Sequence, residues 1–327
     1  MKKKSKWRLI GYSIAGILIA GAAVIGYEFY QLQPANHFKD IPVASSGTSD
    51  TTNTTKSTDK TENTDQQTKG NGPVFNILLL GSDERPGETI GHSDTMMLAH
   101  VDLGKNQINA ISIPRDTRVH LNGYGYTKLT SVQYILQADK GVNQGIIGSV
   151  DAISELTGVP INYYMETNFQ GLEAMVDSMG GIDIYVPTNE KINGQPVAAG
   201  THFVDGKTVL ALARERHSIA SGDYGRQQVQ LEAIKGIAKK ALNPSNISNL
   251  PSLISSMSKY MIGSNMSTSD MVSLGMAMKN IDLNKQIHYK QIEGTQKVLY
   301  DDILKANNDQ IVIDPQVMKS TITEYFH

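Results

Sequence analysis

The distribution of apolar and polar positions divides the chain into three parts. An apolar stretch without a charged residue runs from Leu9 to Tyr27, and a tract of Ser, Thr, Asp, Asn, Lys and Gly runs from Ser45 to Gly72. Short apolar runs separated by turn residues begin near Val74 and continue towards the C-terminus. This pattern predicts a membrane segment, a linker and a folded domain.

The first apolar stretch has the length that a helix needs to cross a bilayer, which is roughly 20 residues. Basic residues precede it and none follows closely, so the positive-inside rule places the N-terminus in the cytoplasm. We predict a cytoplasmic tail (residues 1–8), a transmembrane signal anchor (9–29), and an extracellular remainder. The alternative is a cleaved signal peptide, which a long apolar run without a clear small-residue cleavage site disfavours.

The polar tract cannot bury enough apolar surface to become ordered. We therefore interpret residues 30–73 as a flexible extracellular linker. Residues 74–327 are expected to form one domain.

Periodicity within this domain predicts alternating strands and helices. The predicted strands are VFNILLLG, TMMLAHVD, QINAISIP, NYYMET and IDIYVP. The predicted helices are KLTSVQYILQADKG, QGIIGSVDAISELTG, FQGLEAMVDSMGG, DGKTVLALARER and RQQVQLEAIKGIAKKAL. Beyond Pro244 we expect mostly helices and one late strand, KQIHYKQI. The alternation favours an α/β fold in which a central mixed β-sheet is sandwiched by helices.

Composition narrows the possible functions. The formal net charge is −2, which argues against a general nucleic-acid binder. The chain has no cysteine, so it has neither disulfides nor thiolate metal ligands. GxSxG, HExxH and Walker A motifs are missing from the sequence, which disfavours a serine hydrolase, a zinc protease and a P-loop enzyme.

Two carboxylates stand at the ends of the first two predicted strands. Asp83 leaves the first strand and Asp94 enters the second, and a loop with Gly87 and Gly91 joins them. Paired carboxylates suit Mg²⁺ (or Mn²⁺) beside a substrate phosphate, since this ion takes few protein ligands and keeps several waters. The alternative is that Asp83 is a turn residue and Asp94 a strand-end cap.

Basic residues also concentrate at predicted element ends. Arg115 and Asp116 follow a strand that ends at Pro114, and a guanidinium there can bind phosphate oxygens, although a local surface pair is the simpler reading. Arg226 and Gln230 share one helix face because they are four residues apart. Several arginines with a divalent cation are what a pyrophosphate requires. The alternative is a solvated, charged helix end.

Methionine-rich stretches offer a possible lipid slot. Met96–Met97 and MVSLGMAM have the flexible apolar side chains that suit such a slot. Residues of this kind more often form ordinary core.

Five motifs, in this order, resemble the LytR-CpsA-Psr family: NILLLGSD, SDTMML, SIPRDT, VDSMGGIDIYV and RERHSIASGDYGR. The tail, membrane span and external domain also resemble that family's architecture. The resemblance implies an α/β/α-type domain with a lipid tail in an apolar pocket. It also implies an enzyme that moves a glycopolymer (wall teichoic acid, capsule or related polysaccharide) from a polyprenyl-pyrophosphate carrier to peptidoglycan.

The resemblance assigns roles by position. Asp83 and Asp94 match the family's metal-associated aspartates. For the reaction so implied, Asp94 and Asp116 are our two candidate acceptors of the hydroxyl proton, with Arg115 beside them, and the sequence does not choose between them. The residues that match the pyrophosphate site are Arg85, Arg115, Lys128, Arg214, Arg216, Arg226 and Gln230. His92 and Val229 stand where the family commonly has arginine.

Two other functions use the same site. Water in place of the sugar acceptor would make the protein a polyprenyl-pyrophosphate phosphatase. A protein that binds the lipid-linked precursor without turnover is the second alternative. In each reading the expected partners are a polyprenyl-pyrophosphate-linked glycan and the membrane, with peptidoglycan as acceptor in the transferase reading. The expected location is the cell membrane, with a single span and an external domain. We expect no nucleic-acid partner.

Overall fold

The computed structural model describes residues 30–45, 72–85, 87–192, 195–214 and 223–326. The predicted transmembrane helix (9–29) and Arg216 lie outside these ranges. Within them, no helix combines the length and apolar character that crossing a bilayer requires.

Strands and helices alternate through most of the described chain. The strands are β1 (Val74–Ser82), β2 (Ser93–Asp102), β3 (Gln107–Ser112), β4 (Arg118–Leu121), β5 (Gly125–Lys128), β6 (Tyr163–Asn168), β7 (Ile182–Val186), β8 (Glu190–Ile192), β9 (Gln195–Val197), β10 (Gly200–Val204), β11 (Met261–Ser264), β12 (Ile287–Gln291), β13 (Thr295–Asp301) and β14 (Ala306–Val312). The α-helices are α1 (Pro34–His37), α2 (Leu129–Lys140), α3 (Val142–Thr157), α4 (Phe169–Ser178), α5 (Gly206–Arg214), α6 (Asp223–Ala241), α7 (Leu250–Met257), α8 (Thr268–Ala277) and α9 (Pro315–Phe326).

A six-stranded sheet in the order β11-β6-β1-β2-β3-β12 forms the centre of the domain. The β1/β2, β2/β3 and β6/β11 pairs are antiparallel, whereas β1/β6 and β3/β12 are parallel. The predicted mixed central sheet is therefore confirmed. The middle of β1 is apolar at consecutive positions because both faces of the sheet are covered.

Helices cover the sheet on both sides. Leu78 and Leu80 of β1 point to one face, where they pack in a cluster with residues of α2, α3 and α9. Ile77 and Leu79 point to the opposite face, towards clusters that include residues of α8 and α6. The alternation of side chains along β1 thus divides the core into two layers.

Helix α2 confirms its predicted periodicity. Its four predicted apolar positions, Leu129, Val132, Ile135 and Leu136, are all buried against the sheet. At the other end of the fold, Gly180 follows α4 in the left-handed conformation with φ +70°, as the glycine pair after this helix predicts.

The N-terminal boundary of the predicted linker is wrong. Residues 30–45 pack on the domain: Phe38 is 2% exposed, and its ring lies 4.8 Å from that of Phe75. Ser45 forms an antiparallel bridge with Ile161. Burial of this aromatic ring contributes to the ordering of the segment, and a compositional argument does not detect such a contact.

The prediction for the residues beyond Pro244 holds for helices α7, α8 and α9 but misses three strands. Strand β12 is where we expected it, but β11 and the β13–β14 hairpin are additional strands. The hairpin is exposed along most of its length, so its sequence lacks the alternation of a half-buried strand. It nevertheless packs beside the loop after β3, since Ile311 N donates to Asp116 O at 2.8 Å.

Candidate active site

The β1–β2 hairpin brings Asp83 and Asp94 to one end of the sheet. The strands pair as far as Ser82 and Ser93, and the register shifts between Gly81 and Ser82. Asp94 lies at this irregularity, which redirects its side chain. Asp83 immediately follows the last paired residue of β1. Both aspartates therefore stand at the mouth of the loop, as predicted from the ends of the strands.

Asp83 is held by His92. The backbone N of His92 donates to Asp83 Oδ1 at 2.6 Å, and the ring Nδ1 lies 3.8 Å from Asp83 Oδ2. The imidazole stacks on Tyr134 with a centroid distance of 4.7 Å and an angle of 9° between the planes. Stacking fixes the ring beside the carboxylate. His92, at the position where arginine is common in the family that the sequence resembles, is thus the stacking partner of Tyr134 on α2.

Arg115 contacts both Asp94 and Asp116. Its Nη1 donates to Asp94 Oδ1, and its Nε lies 3.7 Å from Asp116 Oδ2. Lys128 Nζ lies 2.9 Å from Asp116 Oδ1. The expected surface pair of Arg115 and Asp116 is therefore part of a longer chain of alternating charges. The Asp94 side chain is 9% exposed, a burial at which an ion pair contributes more than at the surface.

Helix α6 supplies the next cation. Arg226 is 2% exposed, and its Nη2 donates to Asp94 O at 3.1 Å. Gln230 lies one turn further along the same helix face, and its Nε2 donates to Ala213 O at 3.4 Å. That bond connects α6 to the end of α5, which carries Arg214. The Arg214 guanidinium lies 4.6 Å from the centre of the Phe169 ring.

Arg85 is exposed on the β1–β2 loop, and its backbone N donates to Glu88 Oε2 at 3.3 Å. The structure therefore brings together, in one contiguous network, Asp94, Arg115, Asp116, Lys128 and Arg226.

An apolar cavity of about 440 Å³ lies between the sheet and helices α4, α6, α7 and α8. Its volume is within the usual range of ligand pockets. Met97, Met271 and Met278 line it, whereas Met96 packs in the cluster on the other face of the sheet. Ser82, Thr95 and Gln230 line the cavity beside the charged network. Both readings of these methionines thus apply, since Met97 and Met278 are buried core residues that also line the cavity.

Two carboxylates fit the donor set of Mg²⁺, which is often bound by one or two carboxylates together with substrate phosphates and water. Among the described residues, no group of three or more His, Asp and Glu side chains is arranged to hold a metal by itself. A metal at Asp83 and Asp94 would therefore depend on phosphate oxygens as further ligands.

Sequence reasoning missed two buried polar residues next to this site. Glu166 of β6 is 1% exposed, and Gln133 of α2, fully buried, donates to its Oε1. Burial raises the pKa of Glu166 to about 7; the hydrogen bond from Gln133 opposes the rise, and the charge of Glu84 adds to it. One signal was available, since a single glutamate interrupts the strand YYMETN.

Known proteins resemble the chain in sequence and in fold. A sequence model of the LytR_cpsA_psr family matches residues 42–323. The polyisoprenyl-teichoic acid–peptidoglycan teichoic acid transferase TagU of Bacillus mycoides is 30% identical over 287 residues, covering 88% of this chain and 87% of TagU.

Two solved structures extend the comparison. TagT bound to LI-WTA has a TM-score of 0.60 and 25% identity, over 77% of this chain and 89% of TagT. TagV of B. subtilis has a TM-score of 0.64 over 77% of this chain and 95% of TagV, but at 23% identity it shows the fold alone.

Proposed function

This chain belongs to the LytR-CpsA-Psr family, and on that premise we propose that it transfers a glycopolymer from a polyprenyl-pyrophosphate carrier to peptidoglycan. The name of the TagU relative, a peptidoglycan teichoic acid transferase, supports the reaction class. The glycopolymer is a wall teichoic acid, a capsular polysaccharide or a related polymer.

One observation carries the proposal: a network of arginines and aspartates borders an apolar cavity. Arg226 and Gln230 stand on the same face of α6, and Arg226 reaches Asp94 while Gln230 lines the cavity. A polyprenyl pyrophosphate has this division between a charged head and an apolar tail. Its tail would occupy the cavity, and its phosphates would lie against the guanidinium groups.

The transfer exchanges one phosphorus–oxygen bond for another. A hydroxyl of peptidoglycan attacks the phosphorus attached to the glycan, the bond to the bridging oxygen breaks, and polyprenyl phosphate leaves. Arg115, Arg226 and Lys128 offset the negative charge that develops in the transition state. Of the two candidate acceptors of the hydroxyl proton, we favour Asp116, because its side chain is 29% exposed and that of Asp94 is 9% exposed.

Asp83 and Asp94 are the residues that would hold Mg²⁺ or Mn²⁺. The bound ion would supply further positive charge to the pyrophosphate oxygens.

We propose that the domain works outside the cell, attached to the membrane by a helix over residues 9–29. The basic residues before that segment and its apolar length support a single span with a cytoplasmic N-terminus. The external location is the side of the membrane on which peptidoglycan is found.

The test uses the full chain in detergent, with a polyprenyl-pyrophosphate-linked oligosaccharide and peptidoglycan fragments. Arg115→Ala removes the side chain that bonds Asp94 and lies near Asp116, and we expect transfer to fall about 100-fold or more. Lys285→Ala, whose side chain is 84% exposed, is the control. Undiminished transfer by Arg115→Ala would remove this network from the reaction.

Product analysis separates transfer from the two alternatives. Glycan joined to peptidoglycan through a phosphodiester supports transfer. Release of phosphorylated glycan at the same rate without acceptor would identify a phosphatase, and tight lipid binding without any product would identify a binding protein.

A further inference from the structure

Glu166 is a buried carboxyl group that the proposed reaction does not use. It lies on β6, opposite Leu80 of β1 and Gly263 of β11 in the strand register. Gln133 donates to Oε1, whereas Oε2, among the described residues, has no hydrogen-bond partner. A buried polar atom in this condition requires an explanation.

The surroundings of Glu166 favour its neutral form. Gly263 leaves room for the carboxyl, since a Cβ added there would lie 3.3 Å from Glu166 Oε2, and the glutamate is 1% exposed. The titratable groups that act on it electrostatically are Glu84, on the β1–β2 loop, and Tyr164, on its own strand. Neither is a cation, and β11 has no titratable side chain. A negative charge on Glu166 is therefore opposed by burial and by repulsion from Glu84.

Gln133 connects Glu166 to the hairpin of the candidate active site. While its Nε2 donates to Glu166, its Oε1 accepts a hydrogen bond from Ser93 Oγ. Gln137, one turn later on α2, accepts from Gly91 N at 2.9 Å. Two side chains of α2 thus hold Gly91 and Ser93 in the segment before Asp94.

We propose that Glu166 is a positioning residue: it accepts from Gln133, which it holds against Ser93, and in its neutral form it leaves the end of the β1–β2 hairpin that carries Asp83 and Asp94 undisturbed. The catalytic part of this inference rests on the proposed function. When Glu166 ionises, its negative charge repels that of Glu84, which lies on the β1–β2 loop. This repulsion displaces the end of the hairpin.

The pKa of about 7 places this change within the neutral range. Transfer therefore decreases as the pH rises through the transition, by about tenfold for each pH unit above it when only the neutral form is competent.

The first experiment does not depend on activity. The full chain in detergent, with ¹³C-labelled glutamate carboxyls and ¹⁵N-labelled amides, is titrated by NMR. We expect one glutamate to titrate near neutral pH, with the Gly91 and Ser93 amide signals following it. Glu166→Gln removes both responses, whereas the exposed control Glu155→Gln removes neither.

A second variant separates the connection from the titration itself. In Gln133→Met, we expect a carboxyl still to titrate above the ordinary glutamates while the Ser93 amide no longer follows it. This variant also keeps the proposal testable should Glu166→Gln fail to fold. The proposal is overturned if Glu166 titrates with the exposed glutamates, or if the Gly91 and Ser93 amides do not respond.

The transfer assay provides the second readout. We expect Glu166→Gln to retain transfer at alkaline pH, where the wild type and Glu155→Gln both lose it. Identical pH profiles for the wild type and Glu166→Gln would overturn the catalytic part of the proposal. A chain that transfers nothing at any pH would instead contradict the proposed function, and the NMR titration would still decide the role of Glu166.

Discussion

At the scale of single residues, the raised pKa of Glu166 makes the stability of the fold depend on pH. Its pKa rises from the ordinary value of 4.5 to about 7 in the folded protein. Between these values the folded chain binds more protons than the unfolded chain, so unfolding becomes easier as the pH rises. The contribution is fully present below about pH 4.5 and is lost as the pH rises through about 7.

We therefore expect Glu166→Gln to remove on the order of 3 kcal/mol of pH dependence from the free energy of unfolding across this window. Urea unfolding at a series of pH values measures the effect, and Glu155→Gln, at an exposed position of α3, is the matched control. Parallel pH curves for the wild type and Glu166→Gln would show that the burial of this carboxyl has no energetic consequence.

The sequence predicts the location of a residue where the local pattern alone determines it. Asp83 and Asp94 lie at the hairpin end, as predicted, because strand ends can be read from the local pattern. The contact between Arg115 and Asp94 joins the turn after β3 to strand β2, a pairing that no local pattern specifies. The burial of Glu166 likewise depends on α2 and β11, which are distant in sequence.

At the scale of elements, the β13–β14 hairpin is anchored through a buried aspartate. Asp301 is 1% exposed and accepts hydrogen bonds from Ile303 N at 2.9 Å and Thr127 Oγ1 at 3.0 Å. Burial alone would raise the pKa of Asp301, but hydrogen bonds from Leu304, Ile303, Thr127 and Asn308 outweigh it and lower the pKa. The stabilisation is present above the unfolded pKa and is lost as the pH falls through the folded value.

Asp301→Asn replaces one accepting oxygen by a donor, and we expect a loss of about 1–3 kcal/mol of unfolding free energy at neutral pH. Hydrogen exchange of the β13 and β14 amides should accelerate, and the loss should diminish in acid. Asp309→Asn, at an exposed position of the same hairpin, is the control. Equal protection in both variants would mean that Asp301 does not anchor the hairpin.

The sequence predicted the central strands better than this hairpin for a physical reason. Strands β1, β2 and β3 are buried and rich in apolar residues, so their pattern reflects the sheet directly. Strands β13 and β14 are held by Asp301 and by Arg118, whose Nη1 donates to Tyr300 O at 3.0 Å. Such polar anchors leave no periodicity in the sequence.

At the scale of the whole molecule, the segment of residues 30–45 is part of the domain. Phe38 of this segment packs on the sheet, and its ring centre lies 4.8 Å from that of Phe75 and 6.4 Å from that of Tyr163. His37 Nε2 lies 2.7 Å from Asp270 Oδ1 of α8, and Ser273 Oγ donates to Leu32 O at 2.9 Å. Apolar and polar contacts together fix the segment.

Phe38→Ala should lower the free energy of unfolding by about 3–5 kcal/mol, because it removes a fully buried ring. Val43→Ala, at a position that is 58% exposed, should change it little. Thermal unfolding of the full chain compares the two variants. A negligible effect of Phe38→Ala would indicate that the segment detaches in solution.

The attachment of this segment has a consequence for the membrane anchor that we propose over residues 9–29. Ser45 is fixed at Ile161, and Pro73 O accepts a hydrogen bond from Leu103 N at 3.0 Å. Both ends of the serine- and threonine-rich insert are therefore held on the same body. With the anchor that we propose over residues 9–29, we expect a shorter insert to leave the distance between the domain and the bilayer unchanged, because the fixed segment that begins at Tyr30 follows the anchor directly in the sequence.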